Sequence, residues 1–250
     1  MKALVLLSGG IDSTVCATLA VRTHGKENVA AVSFLYGQKH TKEVDAAMKV
    51  STHFGIKWHS IIGLPLVFKG YGSAIMSKDQ QEMPQMTYQE IHNAQGVSPT
   101  YVPYRNGNLL SISATIALTL GADELYFGAH SEDAHNWAYP DCTPEFIGAM
   151  ANAIFIGTYY KVRLRSPLMW MTKKDVVKMG LQYGAPFELT WSCYEGGELS
   201  CGKCPTCVSR LEAFKVNGTK DPAQYPKEID QWWTLNPLPK VYGRDPERAK

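Results

Sequence analysis

A chain of 250 residues with 45% apolar and 19% charged side chains has an ordinary globular composition and is long enough to bury a sizeable core. Its net charge of +2 gives no broad electrostatic footprint for nucleic acid or anionic membrane, and no apolar run approaches the length that spans a bilayer. The apolar run 3–7 passes directly into glycines, so the N-terminus does not read as a secretory leader, and a reducing, cytoplasmic setting is expected.

Residues 3–7 are continuously apolar and stopped by Ser8-Gly9-Gly10, the pattern of a strand buried on both faces. A helix is expected over 12–23, with Val15, Ala17, Leu19 and Ala20 on its apolar faces. Residues 29–35 read as a second buried strand and 42–54 as a second helix, on which Val44, Ala47, Met48, Ser51 and Phe54 share one face. A third strand is expected at 57–62. From 63 to 104 the chain is rich in Gly, Pro, Gln, Met and Ser without a sustained period, the mark of a long functional loop. Regularity returns with an apolar helix at 109–120, a strand at 124–127, a helix at 144–159, a strand near 162–164 and a helix at 173–183. This alternation predicts an α/β fold, a Rossmann-like parallel sheet with helices on both faces.

The segment Leu7-Ser8-Gly9-Gly10-Ile11-Asp12-Ser13-Thr14 falls where the first strand ends and the first helix begins. Glycines there let the backbone turn tightly and approach an anion, while the helix N-terminus offers unpaired amides and Ser8, Ser13 and Thr14 offer hydroxyls. The segment is neither a Walker loop, lacking Gly-Lys-Ser/Thr, nor a dinucleotide fingerprint. With no loop lysine, other groups must neutralise a polyphosphate; Mg²⁺ bridging phosphate oxygens beside Asp12 is the expectation. The plainer alternative is a simple βα turn with Asp12 or Ser13 as a helix cap. The full string Ser-Gly-Gly-x-Asp-Ser resembles the signature of the N-type ATP pyrophosphatases, or PP-loop enzymes. That resemblance implies an adenine nucleotide alpha hydrolase-like fold, with the β,γ-pyrophosphate of ATP in the loop and attack on the α-phosphate by a substrate oxygen.

Four of the six cysteines cluster as Cys193-x7-Cys201-x2-Cys204-x2-Cys207. Four thiolates without histidine close a tetrahedral shell, so a structural Zn²⁺ is expected, with an iron–sulfur cluster or free thiols as alternatives. The predicted organisation is an ATP-binding α/β domain over 1–185, a zinc-binding helical region over 186–217 and an extended tail over 218–250. In that tail Trp232-Trp233 suggests docking on the body or on a second subunit.

Further segments resemble one PP-loop subfamily, the 7-cyano-7-deazaguanine synthases. These are Tyr36-Gly37-Gln38-Lys39-His40 with Glu43, Val102-Pro103-Tyr104-Arg105-Asn106, Tyr139-Pro140-Asp141-Cys142 with Glu145-Phe146, and Pro167-Leu168-Met169-Trp170 with Lys173. Cys193-Tyr194 leads into the cysteine cluster in the same way. The resemblance runs from residue 1 to about residue 215. It implies a ligase that converts 7-carboxy-7-deazaguanine, ammonia and ATP to the nitrile through an adenylated carboxylate and an amide, for queuosine- or archaeosine-type nucleosides. It further implies a homodimer and small-molecule partners only, with neither nucleic acid nor membrane.

By the same resemblance Leu7, Ser8, Gly9, Gly10, Asp12, Ser13 and Thr14 hold pyrophosphate, and Phe34 and Tyr36 flank adenine, Phe34 having core packing as its alternative. Arg105 and Lys173 neutralise phosphate or steady the substrate carboxylate, the alternative being a solvated surface pair. Asp141 or Glu132 accepts from the guanine-like N–H edge, with a solvated loop position as the alternative for Glu132. The role of His40 stays open, and Cys142 reads as a buried thiol. Tyr104 stands where the family has Gly, and the segment 128–138 is longer than its counterpart and lacks a Cys two residues after Gly128. Competing readings are a PP-loop enzyme of other output, such as tRNA thiolation or attachment of a deazaguanine to another acceptor, and a non-catalytic zinc-containing nucleotide binder.

Overall fold

A computed structural model describes residues 1–64, 67–68, 73–76, 96–134 and 137–235, with side chains to residue 231. Much of the expected 63–104 loop, the side chains of Trp232 and Trp233, and residues 236–250 lie outside that set. Among the described residues five strands form one parallel sheet: β1 (Ala3–Leu6), β2 (Val29–Leu35), β3 (Trp58–Gly63), β4 (Glu124–Tyr126) and β5 (Arg163–Arg165), in the order β3-β2-β1-β4-β5. β1 lies at the centre, paired Ala3 to Val29 on one side and Ala3 to Glu124 on the other.

Its uninterrupted apolar sequence follows from that position, because both faces of a central parallel strand are covered. Leu4 and Leu6 pack with α3 (Arg105–Leu120) and α5 (Pro144–Gly157), through Leu110, Ala117, Ile147 and Ile154. Ala3, Val5 and Leu7 point the other way, against α1 (Ile11–His24), α2 (Lys42–Phe54), α6 (Lys173–Tyr183) and α7 (Pro205–Val216), through Val15, Val50, Val176 and Phe214. The chain winds outward from β1 to β3 and then returns to the other side as β4 and β5. The connections after β1 and β4 therefore diverge and leave a crevice at the carboxyl ends of the strands, where open α/β sheets bind ligands.

Several boundaries depart from the sequence expectation for identifiable reasons. α3 begins at Arg105 rather than at 109: the carboxylate of Asp141 accepts from the Asn106 amide at 2.8 Å, a cap supplied from a distant segment. α5 stops at Gly157 because Tyr159 and Tyr160 take left-handed backbone conformations, with φ 54° and 60°. A one-turn helix, α4 (Ser131–Ala134), interrupts the segment after β4.

The tail is a correction: it is not extended throughout but carries α8 (Lys227–Leu235). The amides of Ile229 and Asp230 donate to the Pro226 carbonyl, and Ile229 seats on Gly202, where an added Cβ would lie 2.3 Å from the isoleucine. No helix among the described residues is long and apolar enough to cross a membrane.

Residues beyond 185 share the second core through Ala213 and Phe214 and are tied to it by Arg210. This guanidinium is buried; it meets both oxygens of Asp221 at 2.8–3.0 Å, and donates to Thr190 Oγ1 at 2.7 Å and to the Phe187 carbonyl at 3.1 Å. Removing one member of a buried pair strands the other charge. Asp221→Ala is expected to lower unfolding free energy by about 3–5 kcal/mol, read as a shifted urea midpoint with an unchanged slope.

Candidate active site

The site starts at Gly9. Its φ of +86° lies in the region that favours glycine, and an added Cβ would fall 2.1 Å from the Glu43 carbonyl oxygen and 2.6 Å from the Ala47 amide of α2. The turn is wrapped around one hydroxyl: Ser13 Oγ accepts from the amides of Ser8 at 3.1 Å and Gly9 at 3.2 Å, and lies 3.0 Å from Ser8 Oγ. Gly10 is the N-cap of α1 and brings no side-chain cap, so the first-turn amides of Ile11, Asp12 and Ser13 lack acceptors within the helix. All three residues line a cavity of about 230 Å³, and the helix dipole favours an anion there.

Charge at this end is arranged by α6. Lys173 Nζ lies 2.7 Å from both carboxylate oxygens of Asp12. His130, itself buried, places Nε2 3.8 Å from Asp12 and 3.3 Å from Asp133. Burial pushes the Asp12 carboxyl upward, but the Lys173 ammonium and His130 outweigh it, and its pKa ends below the ordinary value. Burial likewise opposes the Lys173 cation, yet Asp12 and Asp133 hold its pKa above the usual lysine value. A buried lysine from a distant helix thus stands where the loop itself offers none.

The second wall comes from β2 and α3. Phe34 and Tyr36 are buried and line the cavity; Phe34 also belongs to the core. Arg105 donates from Nη1 to the Tyr36 hydroxyl at 3.1 Å, with its guanidinium carbon 5.2 Å from that ring's centroid. Glu43, in the first turn of α2, lines the same space; burial pushes its carboxyl up to about 7, with Arg105 opposing. Asp141 is buried behind this wall, and burial raises its pKa against the opposing pull of Arg105 and the Asn106 amide. Cys142 lines the cavity, accepts from Asn106 Nδ2 at 3.2 Å, and is pushed well above the usual thiol pKa by burial.

The cysteine segment forms the third wall. The Trp191 amide donates to the Gly9 carbonyl at 3.0 Å, and its indole N–H donates to the Cys193 carbonyl at 2.7 Å. Lys42 covers the indole at 4.6 Å. The sulfurs of Cys193, Cys201, Cys204 and Cys207 all lie within 4.8 Å of one another, with no disulfide among them. One tetrahedral ion with thiolate bonds of about 2.3 Å sets its sulfurs about 3.8 Å apart, so this group could hold a metal. Amides of Lys203 and Cys204 donate to Cys201 Sγ at 3.4 and 3.3 Å, directing N–H dipoles at the charge that metal-bound thiolates carry.

Of the residues singled out from sequence, Leu7, Ser8, Gly10, Asp12, Ser13, Phe34, Tyr36, Arg105 and Lys173 meet at one cavity, and the four cysteines meet beside it. Gly9 and Thr14 are not at its wall: Gly9 shapes the turn, and Thr14 is buried with Oγ1 lacking a hydrogen-bond partner among the described residues. Asp141 caps α3 and stands a layer behind. Glu132 is not brought to the wall either; its neighbour Asp133 is, since consecutive helical residues point about 100° apart. Sequence reasoning missed Asp133, His130 and Trp191 and left Glu43 without a task. Only Glu43 carried a signal, its place after Tyr36-Gly37-Gln38-Lys39-His40.

A parallel α/β sheet whose first strand delivers Ser-Gly-Gly-x-Asp-Ser to an uncapped helix N-terminus defines a PP-loop nucleotide-binding protein. The model of the queuosine biosynthesis protein QueC family matches residues 2–218, and the chain belongs to that family. It is 44% identical over 230 residues to the 7-cyano-7-deazaguanine synthase of Caldicellulosiruptor bescii, covering 92% of this chain and 100% of that one. To the protein of the same name from Archaeoglobus fulgidus it is 41% identical over 225 residues, covering 89% of each chain. To that from Koribacter versatilis it is 40% identical over 226 residues, covering 90% and 93%.

Glu43 makes stability depend on pH in a defined sense. A carboxyl raised from 4.5 to about 7 takes up a proton on folding, so its contribution is full below pH 4.5 and is lost as pH rises through 7. Glu43→Gln is expected to raise the urea midpoint relative to the unsubstituted protein at pH 8 and to leave it unchanged at pH 4.5.

Proposed function

We propose that the chain is an ATP-dependent carbon–nitrogen ligase that makes 7-cyano-7-deazaguanine from 7-carboxy-7-deazaguanine and ammonia. One observation carries this: the uncapped N-terminus of α1, the Lys173 cation and the Arg105 guanidinium converge on a single cavity in a chain of this family. Small molecules are the partners, and the modest net charge supports no nucleic-acid partner. The exposed Ile156, Tyr159, Tyr160 and Trp170 support paired subunits, in a cytoplasmic enzyme.

Amides of the Ser8–Ser13 turn and the hydroxyls of Ser8 and Ser13 receive the β,γ-phosphates of ATP, and Phe34 and Tyr36 flank adenine. The substrate carboxylate, steadied by Arg105, attacks the α-phosphorus. Pyrophosphate leaves into donors already aimed at it, which lowers the barrier because they need no reorganisation as charge develops. Lys173, oriented by Asp12, neutralises that charge. Ammonia displaces AMP to give the amide, whose oxygen is activated by a second ATP and lost to leave the nitrile. Both activations need the same phosphoryl geometry, so one loop serves both. Asp141, buried behind the wall with one oxygen on the Asn106 amide, supports the base subsite from there by holding Asn106, which does line the cavity.

Asp12 and Asp133 are the hard oxygen donors at the phosphate loop and fit Mg²⁺, which when bound spreads the triphosphate's negative charge. The four cysteines fit one Zn²⁺ in a structural role. Thiolates on the separate irons of a cluster stand farther apart than these sulfurs do.

Incubation with ATP, Mg²⁺, ammonium and 7-carboxy-7-deazaguanine is expected to yield the amide and then the nitrile by mass spectrometry. Ser8→Ala combined with Asp12→Ala is expected to cut the rate by about 10²-fold or more; an unchanged rate removes the loop from the mechanism. Because Trp191 joins the cysteine segment to Gly9, Cys201→Ser or chelation is expected to lower both the melting temperature and ATP affinity measured by calorimetry.

A further inference from the structure

We propose, on the footing that the chain is the synthase described above, that the Glu43 carboxylate binds the ammonium ion consumed in the reaction and takes a proton from it. Ammonia is thereby released beside the activated acyl carbon.

The position of this side chain is fixed by backbone packing. The Glu43 carbonyl oxygen abuts Gly9 so closely that a Cβ on that glycine would lie 2.1 Å away, which ties the first turn of α2 to the phosphate loop. From that turn the carboxylate enters the cavity wall shared with Tyr36, Arg105 and Tyr194. The phenols of Tyr36 and Tyr194 both lie within electrostatic reach of it.

What sets Glu43 apart is its lack of partners. Asp12 is held by Lys173 and Asp133 approaches His130, whereas the Glu43 carboxylate makes no hydrogen bond or salt bridge with any described residue. Arg105, the nearby cation, already donates to Tyr36 and faces Asp141 as well. A half-buried carboxylate without donors is costly unless a ligand supplies them. The ligand must therefore bring donors and positive charge in a small volume. Ammonium is all donor and no acceptor, and phenolic oxygens and aromatic faces beside a carboxylate suit it.

Ammonium has no lone pair and cannot attack carbon. One proton passes from it to the Glu43 carboxylate, and the freed electron pair forms the C–N bond to the acyl carbon. The C–O bond to AMP then breaks with its electron pair on the phosphate oxygen, and the second proton leaves the new amide nitrogen to AMP or water. A carboxyl poised near neutrality is matched to the first transfer, because proton exchange is most effective when the acceptor's affinity lies near the working pH.

The test compares the full-length, metal-loaded protein with Glu43→Gln and Glu43→Asp in three assays. The first is exchange of labelled pyrophosphate into ATP, dependent on 7-carboxy-7-deazaguanine and run without ammonium. The second is amide formation against ammonium concentration. The third is hydroxamate formation with hydroxylamine, a nucleophile that is neutral near pH 7 and needs no carboxylate to deprotonate it. Glu43→Gln is expected to keep exchange and hydroxamate formation within about twofold while amide formation at low ammonium falls roughly 10²-fold, with Glu43→Asp between. Equal loss in all three assays, or undiminished amide formation, overturns the assignment. If the unsubstituted protein shows no exchange at all, the synthase function itself fails and this role falls with it.

Discussion

Everything in the cavity is referred to the place where β1 ends, because there the backbone of Gly9 is clamped from two sides. α2 presses against the space a side chain would occupy, and the Trp191 amide holds the Gly9 carbonyl. This double contact fixes a helix that starts without a cap, and an uncapped start leaves amides for an anion. Were there a Cβ at residue 9, α2 would have to move, and with it the side chains of the second wall. The close packing of α2 and the chemistry of the loop are thus one constraint seen from two directions.

Electrostatics then completes what the short loop cannot supply. Asp12, alone in the first turn, would repel an anion at the helix start; paired with Lys173 it becomes part of a neutral unit. The pair spans 161 residues of sequence, from the first helix to α6. Lys173 owes its placement to the capping box of Thr172 and Asp175, which fixes where that helix begins. A helix-capping motif with no direct part in the chemistry thereby sets the position of a charge in the site.

How much could be read from the chain follows from how local each cause is. β2, α2 and α6 were legible to their end residues, since apolar period and stop signals lie within each segment. The parallel sheet followed from alternation, and the meeting of the four cysteines from their spacing. The start of α3 was not legible, because its cap comes from Asp141, and neither was α8, whose seat on Gly202 is a tertiary contact. The choice of Asp133 over Glu132 needed the phase of the one-turn helix α4, too short to announce itself in sequence. His130 shows no pattern at all: its proximity to Asp12 arises only because β4 lies beside β1 in the sheet.

The Ser13 hydroxyl sits at the focus of the loop, accepting from two backbone amides that would otherwise lack a partner. It serves as an internal template that holds the turn in its concave shape. On the proposed function, a phosphate oxygen entering the loop would rotate one short side chain aside, and few backbone torsions would need freezing. The entropic toll of capture is correspondingly small, so more of the attraction between loop and nucleotide survives as net affinity.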